Sequence, residues 1–470
     1  MFKGLKPIQY AGREVWPLIE GGKGVAVSSG RSAGAWAAAG GVGTFSGVNP
    51  DAVDENGEYI PLVFRGRDRL ERHEELVAYS IRGGISQARI AHATRQGEGR
   101  IHMNVLWEMG SCERVLQGVL EGAKGLIHGV TCGAGMPYRL GEICARYGVY
   151  YYPIVSSGRA FNALWKRAYH KFQDWLGAVV YEDPWLAGGH NGLSNVEDPL
   201  RPESPFPRVL ELRKLMRAVG LGQVPIVMAG GVWHLDDWRD WIGNAELGPI
   251  AFQFGTRPLL TRESPIPEGW KRRLLDLLPG DVLLHRFSPT GFYSSAVRNR
   301  FLDDLVGRSE RQVPFAEAAD PAQGRESFFA YGRTGHGVYL SAADHARVGE
   351  WLAQGYTQPM RTPDGTLIFV APQNAREIRR DQADCMGCLS HCKFSNWKDH
   401  GDHSTAHAAD PRSFCIQKTL QEIAHGRGAP LEDQLMFAGH NVYRFRQDPF
   451  YANGFVPTVK ELVQRILTGR

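Results

Sequence analysis

Four cysteines stand together late in the chain: Cys385, Cys388, Cys392 and Cys415. The first three follow a C-x2-C-x3-C pattern, and 22 residues separate Cys392 from Cys415. Thiolates at such spacing suit a [4Fe–4S] cluster or a structural zinc. His391, His400, His403 and His407 lie nearby and could replace one thiolate at a zinc. Free structural cysteines are the plainer alternative. A second centre of chemistry is His190, inside Ala187-Gly188-Gly189-His190-Asn191-Gly192. A histidine titrates near neutrality, so it can take a proton from a weakly acidic carbon or return one. A third is the pair of glycine-bearing ends Met228-Ala229-Gly230-Gly231 and Gln253-Phe254-Gly255-Thr256-Arg257. Glycine lets backbone N–H groups approach a phosphate closely, and Thr256 adds a hydroxyl. Arg257 can neutralise a phosphate or pair with Glu263.

These residues need elements to position them. Eight short apolar runs alternate with helix-like stretches: 16–20, 42–46, 101–107, 124–130, 149–155, 177–182, 224–231 and 249–255. The helix-like stretches include 29–40, 137–148 and 157–177. Alternation of this kind predicts parallel βα units, and eight units close a TIM (β/α)8 barrel. Barrel sites sit at the C-terminal ends of the strands, and phosphates bind after strands seven and eight. Both glycine-bearing ends fall there. The polar stretches 48–70 and 193–207 are expected as loops on the same face, and 308–335 as a connector. The predicted division is a barrel over residues 1–305 and a C-terminal extension over 306–470 carrying the cysteine set.

Composition sets the limits. The 470 residues hold 54 Lys plus Arg against 50 Asp plus Glu, a net charge of +4. That balance gives no reason to expect nucleic acid or an anionic membrane as partner. No apolar run approaches the roughly 18 residues that span a bilayer. The first residues, MFKGLKPIQY, lack a signal-peptide core, so a cytoplasmic location is expected and the seven cysteines are expected reduced. Cys132 sits just before Gly133-Ala134-Gly135 and reads as a small buried residue or one facing a cofactor. Trp165, Tyr169, Phe172 and Trp175 have helical spacing and read as core. Lys271-Arg272-Arg273 and Arg379-Arg380 read as solvated faces, and Phe292–Ser295 as a cover over the site.

The ordered motifs resemble the nitronate monooxygenase family, formerly 2-nitropropane dioxygenases, which shares a fold with FMN-dependent enoyl-acyl-carrier-protein reductases. Pro17–Gly22 resembles the family's first strand and flavin loop, and Ala37–Gly43 the small-residue stretch into strand two. Asn104 in HMNVLW matches the Asn on strand three. Gly133–Pro137 resembles the loop after strand four, and Ala187–Gly192 the Gly-Gly-His loop. MAGGV and FGTRPLLTRES complete the set. The resemblance covers about residues 15–265. It implies FMN at the barrel mouth, with its phosphate at Gly230, Gly231, Gly255 and Thr256. Gly21, Gly22 and Asn104 would lie near the ring, Gly188 and Gly189 beside it, and Gln253 near the phosphate loop. His190 would do acid–base work.

Lys23 departs from the family, which usually has Met there. A cation so placed can stabilise anionic reduced flavin, bind an acidic substrate or turn to solvent. The resemblance leaves two activities open: oxidation of a nitronate-like carbon acid with oxygen, or reduction of an enoyl thioester by NAD(P)H. A flavin-free phosphate-binding lyase or isomerase is the outside reading, and only Lys23 and Lys124 offer it a Schiff-base amine. A non-catalytic metal-bearing partner protein is a further one. The cysteine spacing resembles that of iron–sulfur flavoenzymes related to old yellow enzyme, with a longer last gap. A cluster beside flavin would imply electrons entering one at a time from a ferredoxin-like electron-donor protein, or a structural role; the expected substrate is a small molecule. The sequence carries no signal for oligomeric state.

Overall fold

The computed structural model describes residues 1–97, 99–331, 336–425 and 429–470. Eight parallel strands close into a barrel. They are β1 (Leu18–Glu20), β2 (Val42–Ser46), β3 (Arg100–Leu106), β4 (Gly129–Gly133), β5 (Tyr150–Val155), β6 (Val179–Glu182), β7 (Ile226–Ala229) and β8 (Ile250–Phe254). Closure comes from β8 pairing with β1, in the register Phe252 to Leu18 and Phe254 to Glu20. The TIM barrel expected from the alternation is therefore present.

Seven strands fall on the expected runs. The fourth does not: residues 124–126 form a turn around Gly125, at φ +79°, and β4 starts at Gly129. Leu126 and Ile127 look like strand residues, whereas Thr131, Cys132 and Gly133 do not. Burial between β3 and β5, rather than local hydrophobicity, makes the latter a strand. The stretch 157–177 also differs. Its helix ends at Arg167 and is followed by 3-10 turns Tyr169–Lys171 and Gln173–Trp175. Trp165 and Tyr169 are nonetheless buried, with Phe172 and Trp175 packed against the core.

Six outer helices follow the first six strands: α1 (Gly30–Ala38), α2 (Arg69–Thr94), α3 (Cys112–Gly122), α4 (Leu140–Arg146), α5 (Gly158–Arg167) and α6 (Pro205–Ala218). Ser29 caps α1, its Oγ accepting from Ser32 N at 3.2 Å. Strand β7 leads only to a 3-10 turn, Leu235–Trp238. The ring is completed by the last helix of the chain, Val459–Ile466, whose buried face packs beside α1. The first residues meet it through Phe2 N and Leu467 O at 2.5 Å.

The barrel interior holds Ile19, Val42, Tyr152, Val180, Val227 and Ala251. Its floor is plugged by an N-terminal hairpin, Ile8–Tyr10 with Arg13–Val15. Tyr10 stacks there on Tyr152, ring centres 4.7 Å apart. The opposite end is covered by chain between β8 and the last helix. Residues 308–331 are no simple connector. The strand Gln312–Pro314 joins a three-stranded sheet, and Ser327–Ala330 joins a hairpin, around a small core of Val313, Phe329, Val338 and Phe369. The remainder of the predicted connector, 332–335, lies outside the described residues. No helix among the described residues is long and apolar enough to cross a membrane.

Candidate active site

One cavity opens at the C-terminal ends of the strands, about 1590 Å³ counted out to solvent. Every residue singled out for the cofactor lines it: Gly21, Gly22, Lys23, Asn104, Gly188, Gly189, Gly230, Gly231, Gln253, Gly255 and Thr256. His190 and Cys388 line it too.

The β7 and β8 ends form a cradle of bare backbone. Gly230 and Gly231 have φ of +83° and +76°, which side-chain-bearing residues rarely adopt. A Cβ built on Gly255 would meet nothing within 4 Å, so that position faces open space. Such a cradle of N–H groups fits an anionic phosphate. Gly22 is glycine for another reason: a Cβ there would overlap Asn104. Gly188 likewise makes room for Ala438, so its bare backbone serves packing between loops as well as the cavity.

Lys23 turns back into the protein. Its Nζ donates to Glu20 Oε1 at 3.1 Å and to Gly21 O at 3.0 Å. Glu20 is fully buried, and Ser32 Oγ donates to the same oxygen at 2.6 Å. Of the alternatives for Lys23, the one that turns it to solvent does not hold: its side chain is 13% exposed. It is the partner that makes a buried carboxylate tolerable.

His190 sits in a two-residue strand, Gly189–His190, paired with Ser294–Ser295. Asn191 N continues this link to Tyr293 O at 3.1 Å. The segment expected as a cover, Phe292–Ser295, thus backs the histidine loop. His190 Nε2 lies 2.5 Å from Ser288 Oγ, which contacts Thr290 Oγ1 at 2.9 Å. Phe437 flanks the ring. Burial pushes the imidazole down to about 4, so it is neutral at pH 7.

Several residues at the site carry no sequence signal of their own. Glu182, the last residue of β6, opens into the cavity, and burial followed by the nearby Asp183 pushes it up to about 8. Gln417 is fully buried and lines the cavity; its Oε1 accepts from Asn49 Nδ2 at 2.8 Å, and its Nε2 has no hydrogen-bond partner among the described residues. An apolar wall of Ile416, Leu420, Ile423, Leu435 and Met436 comes from chain far beyond the barrel strands. Only the fold could have revealed these.

Other expectations are corrected. Arg257 does not line the cavity and does not pair with Glu263. It is 1% exposed, donates to Trp233 O at 2.7 Å and Tyr451 Oη at 3.0 Å, and pairs with Asp448 at 3.2 Å. Lys271 is buried and pairs with Glu268 at 3.1 Å, whereas Arg379 and Arg380 are exposed as expected. Cys132 does not line the cavity; it is buried in the main core with Cys112 and Cys144. Lys124 is exposed in a turn, which leaves the Schiff-base reading without an amine there. Cys385, Cys388, Cys392 and Cys415 are all buried. Among the described residues no group of three or more His, Cys, Asp or Glu forms a site for a metal ion, and His391, His400, His403 and His407 do not join the cysteines in one.

No family model matches the chain, and no curated protein matches it. Solved structures do. FabK from Thermotoga maritima is 14% identical with a TM-score of 0.50, over 96% of this chain and 91% of that chain. The enoyl reductase domain of MlnA, from the macrolactin biosynthesis cluster of Bacillus amyloliquefaciens, is 11% identical with a TM-score of 0.53, over 96% and 93%. Nitroalkane oxidase from Streptomyces ansochromogenes is 19% identical with a TM-score of 0.44, over 61% and 78%. The chain shares the fold of the first two along nearly its whole length, cover included.

Proposed function

We propose that the protein is an FMN-dependent oxidoreductase that acts on a small molecule at an activated carbon, in the manner of the nitronate monooxygenases its motifs resemble. One observation carries this: the residues at positions 21 to 256 that the resemblance assigns to a flavin, scattered over four strand ends and the His190 loop, line a single cavity. The residues fit the cofactor. Gly230, Gly231, Gly255 and Thr256 would hold its phosphate, and Gly21, Gly22, Asn104 and Gln253 would border the ring. FMN supplies the electron chemistry when bound; the protein positions the substrate against it.

The chain's own part is proton handling. His190 is neutral, with Nε2 engaged by Ser288. A neutral imidazole accepts a proton, which suits abstraction from a carbon acid better than donation to one. That favours the oxidative reading. The apolar side chains of Ile416, Leu420, Ile423, Leu435 and Met436 over the cavity exclude water and suit an alkyl or acyl group. The same wall supports the second reading, reduction of an enoyl thioester with NAD(P)H; the MlnA domain is named an enoyl reductase. In either reading residues 1–305 supply the cavity's base. Residues 306–470 supply part of its cover and the cysteine set, a candidate iron–sulfur or zinc centre through which an electron-donor protein would act.

The test is anaerobic reduction of the FMN-loaded protein. Bleaching by alkyl nitronates but not by NAD(P)H supports the oxidase reading. Bleaching by NAD(P)H, reversed by an enoyl thioester, supports the reductase. Failure to bind FMN at all would sink both.

A further inference from the structure

The helix Ile416–His425 lies in the cover and turns one face to the cavity. Ile416, Gln417, Leu420 and Ile423 all line it, at the three- and four-residue spacing that places side chains on one helix face. Three of the four are apolar. Gln417, in the first turn, is polar and 0% exposed.

A buried side-chain amide is expected to engage both its oxygen and its NH2. The oxygen of Gln417 is engaged: Asn49 Nδ2 donates to Oε1 at 2.8 Å. Asn49 Oδ1 in turn lies 3.0 Å from Ser80 Oγ on α2, and both residues are buried. The amide is thus held from behind, and its NH2 is what remains to offer. Nε2 has no partner among the described residues. A buried donor left dry costs about 1–3 kcal/mol, which an acceptor in the cavity would remove.

The surroundings select the acceptor. Lys23 is the one Lys or Arg among the described residues lining the cavity, and its Nζ is already held by Glu20 and Gly21. A single neutral donor suits a carbonyl oxygen, or an anion whose charge is spread over two oxygens, better than a phosphate. Trp233 Nε1 is a second buried donor in the lining without a partner among the described residues. It follows the cradle glycines by two residues and so stands at that end. Gln417 is tied instead to Asn49, three residues beyond β2.

The apolar members of the face set what lies behind the acceptor. At about 1.5 Å per residue, Leu420 and Ile423 stand roughly 4.5 and 9 Å further along the helix axis than Gln417. An oxygen held at Gln417 therefore leaves the rest of its molecule against Leu420 and Ile423.

We propose that Gln417 anchors the substrate: its Nε2 donates to an oxygen of the head group of a carbon acid whose alkyl chain reaches along Leu420 to Ile423. Gln417 makes and breaks no bond; it is a positioning residue, and the apolar face beside it selects for chain length. This role rests on the reading of the cavity as a substrate site beside FMN.

The nitronates of 1-nitrooctane and nitroethane probe turnover. Octanoate and acetate, inert anions with the same pair of oxygens, probe equilibrium binding at pH 8. Flavin absorbance reads binding to the FMN-loaded protein, and tryptophan fluorescence reads it in the apoprotein. The wild type should hold octanoate about tenfold or more tighter than acetate, since each buried CH2 contributes. Gln417→Glu keeps the acceptor for Asn49 and replaces only the donor. It should weaken octanoate and raise the KM for nitrooctane nitronate by about tenfold, with kcat and FMN affinity nearly unchanged. Gln417→Met should do the same, and Leu420→Ala should raise the KM of the long nitronate alone. Unchanged octanoate binding in both Gln417 variants overturns the proposal. So does tighter binding in Gln417→Glu, or a loss confined to FMN affinity, which would give the donor to the flavin. A protein that binds no FMN ends the FMN reading, and octanoate titration of the apoprotein still decides the role of Gln417.

Discussion

Gly439 N donates to Thr256 Oγ1 at 2.8 Å, joining the end of β8 to a segment 183 residues further on. Asn441 Nδ2 makes a parallel link to Gly231 O at 2.6 Å. The glycine cradle at the ends of β7 and β8 is thus clasped from above by the late chain. A Cβ on Gly439 would come within 2.8 Å of Leu186 O and 3.0 Å of Thr256 Oγ1. Gly439→Ala should therefore weaken FMN binding by about tenfold or more, roughly the loss of one well-made hydrogen bond. Fluorescence titration of the apoprotein with FMN measures it, with riboflavin as the phosphate-free comparison. Equal losses for both ligands would remove the clasp from the phosphate.

His190→Ala should lower kcat by about 10²–10⁴-fold while FMN remains bound. Ser288→Ala, which frees Nε2, should give a smaller fall with substrate binding kept. Since burial holds the wild-type imidazole near 4, its base form persists down to that pH. Oxidation should then stay flat from pH 8 to 5 and drop only as pH falls through about 4. An acid limb near 6.5 would mean that the ring is solvated during turnover.

Glu182 predicts a pH effect of opposite sign. Its folded pKa of about 8 lies above the 4.5 of an unperturbed glutamate. The unfolded chain loses this proton first, so the group destabilises the fold increasingly as pH rises from 4.5 to 8. Glu182→Gln should raise the Tm of the apoprotein at pH 8 and leave it nearly unchanged at pH 4.5. Thermal unfolding at the two pH values decides it, and an equal shift at both would contradict burial as the cause.

Arg257→Met should destabilise the protein by about 3 kcal/mol, because buried Asp448 would lose its nearest cation and keep only Arg465 at 3.8 Å. The double variant Arg257→Met with Asp448→Asn should recover part of that loss. Denaturant unfolding gives both numbers, and additive losses would show that the pair is not coupled.

Much was legible from residue order alone. Short apolar runs with period-breaking glycines mark strand ends, because a barrel repeats one local unit and each unit must turn where its strand stops. The positions of Gly230, Gly231, Gly255 and His190 follow from that repetition. What the order of residues could not give is which distant groups meet. Arg257 looks like a phosphate ligand until Asp448 and Tyr451 arrive beside it from the chain's end. Lys23 looks free until Glu20 is seen buried beneath it. Glu182 and Gln417 are ordinary polar residues in sequence. Closure of the barrel and of its cover leaves the first opening on the cavity with its proton held, and the second with an unused donor. Local sequence sets backbone conformation within a few residues. Burial and charge pairing are set by chain folded back from hundreds of residues away, and here they decide which side chains remain available for chemistry.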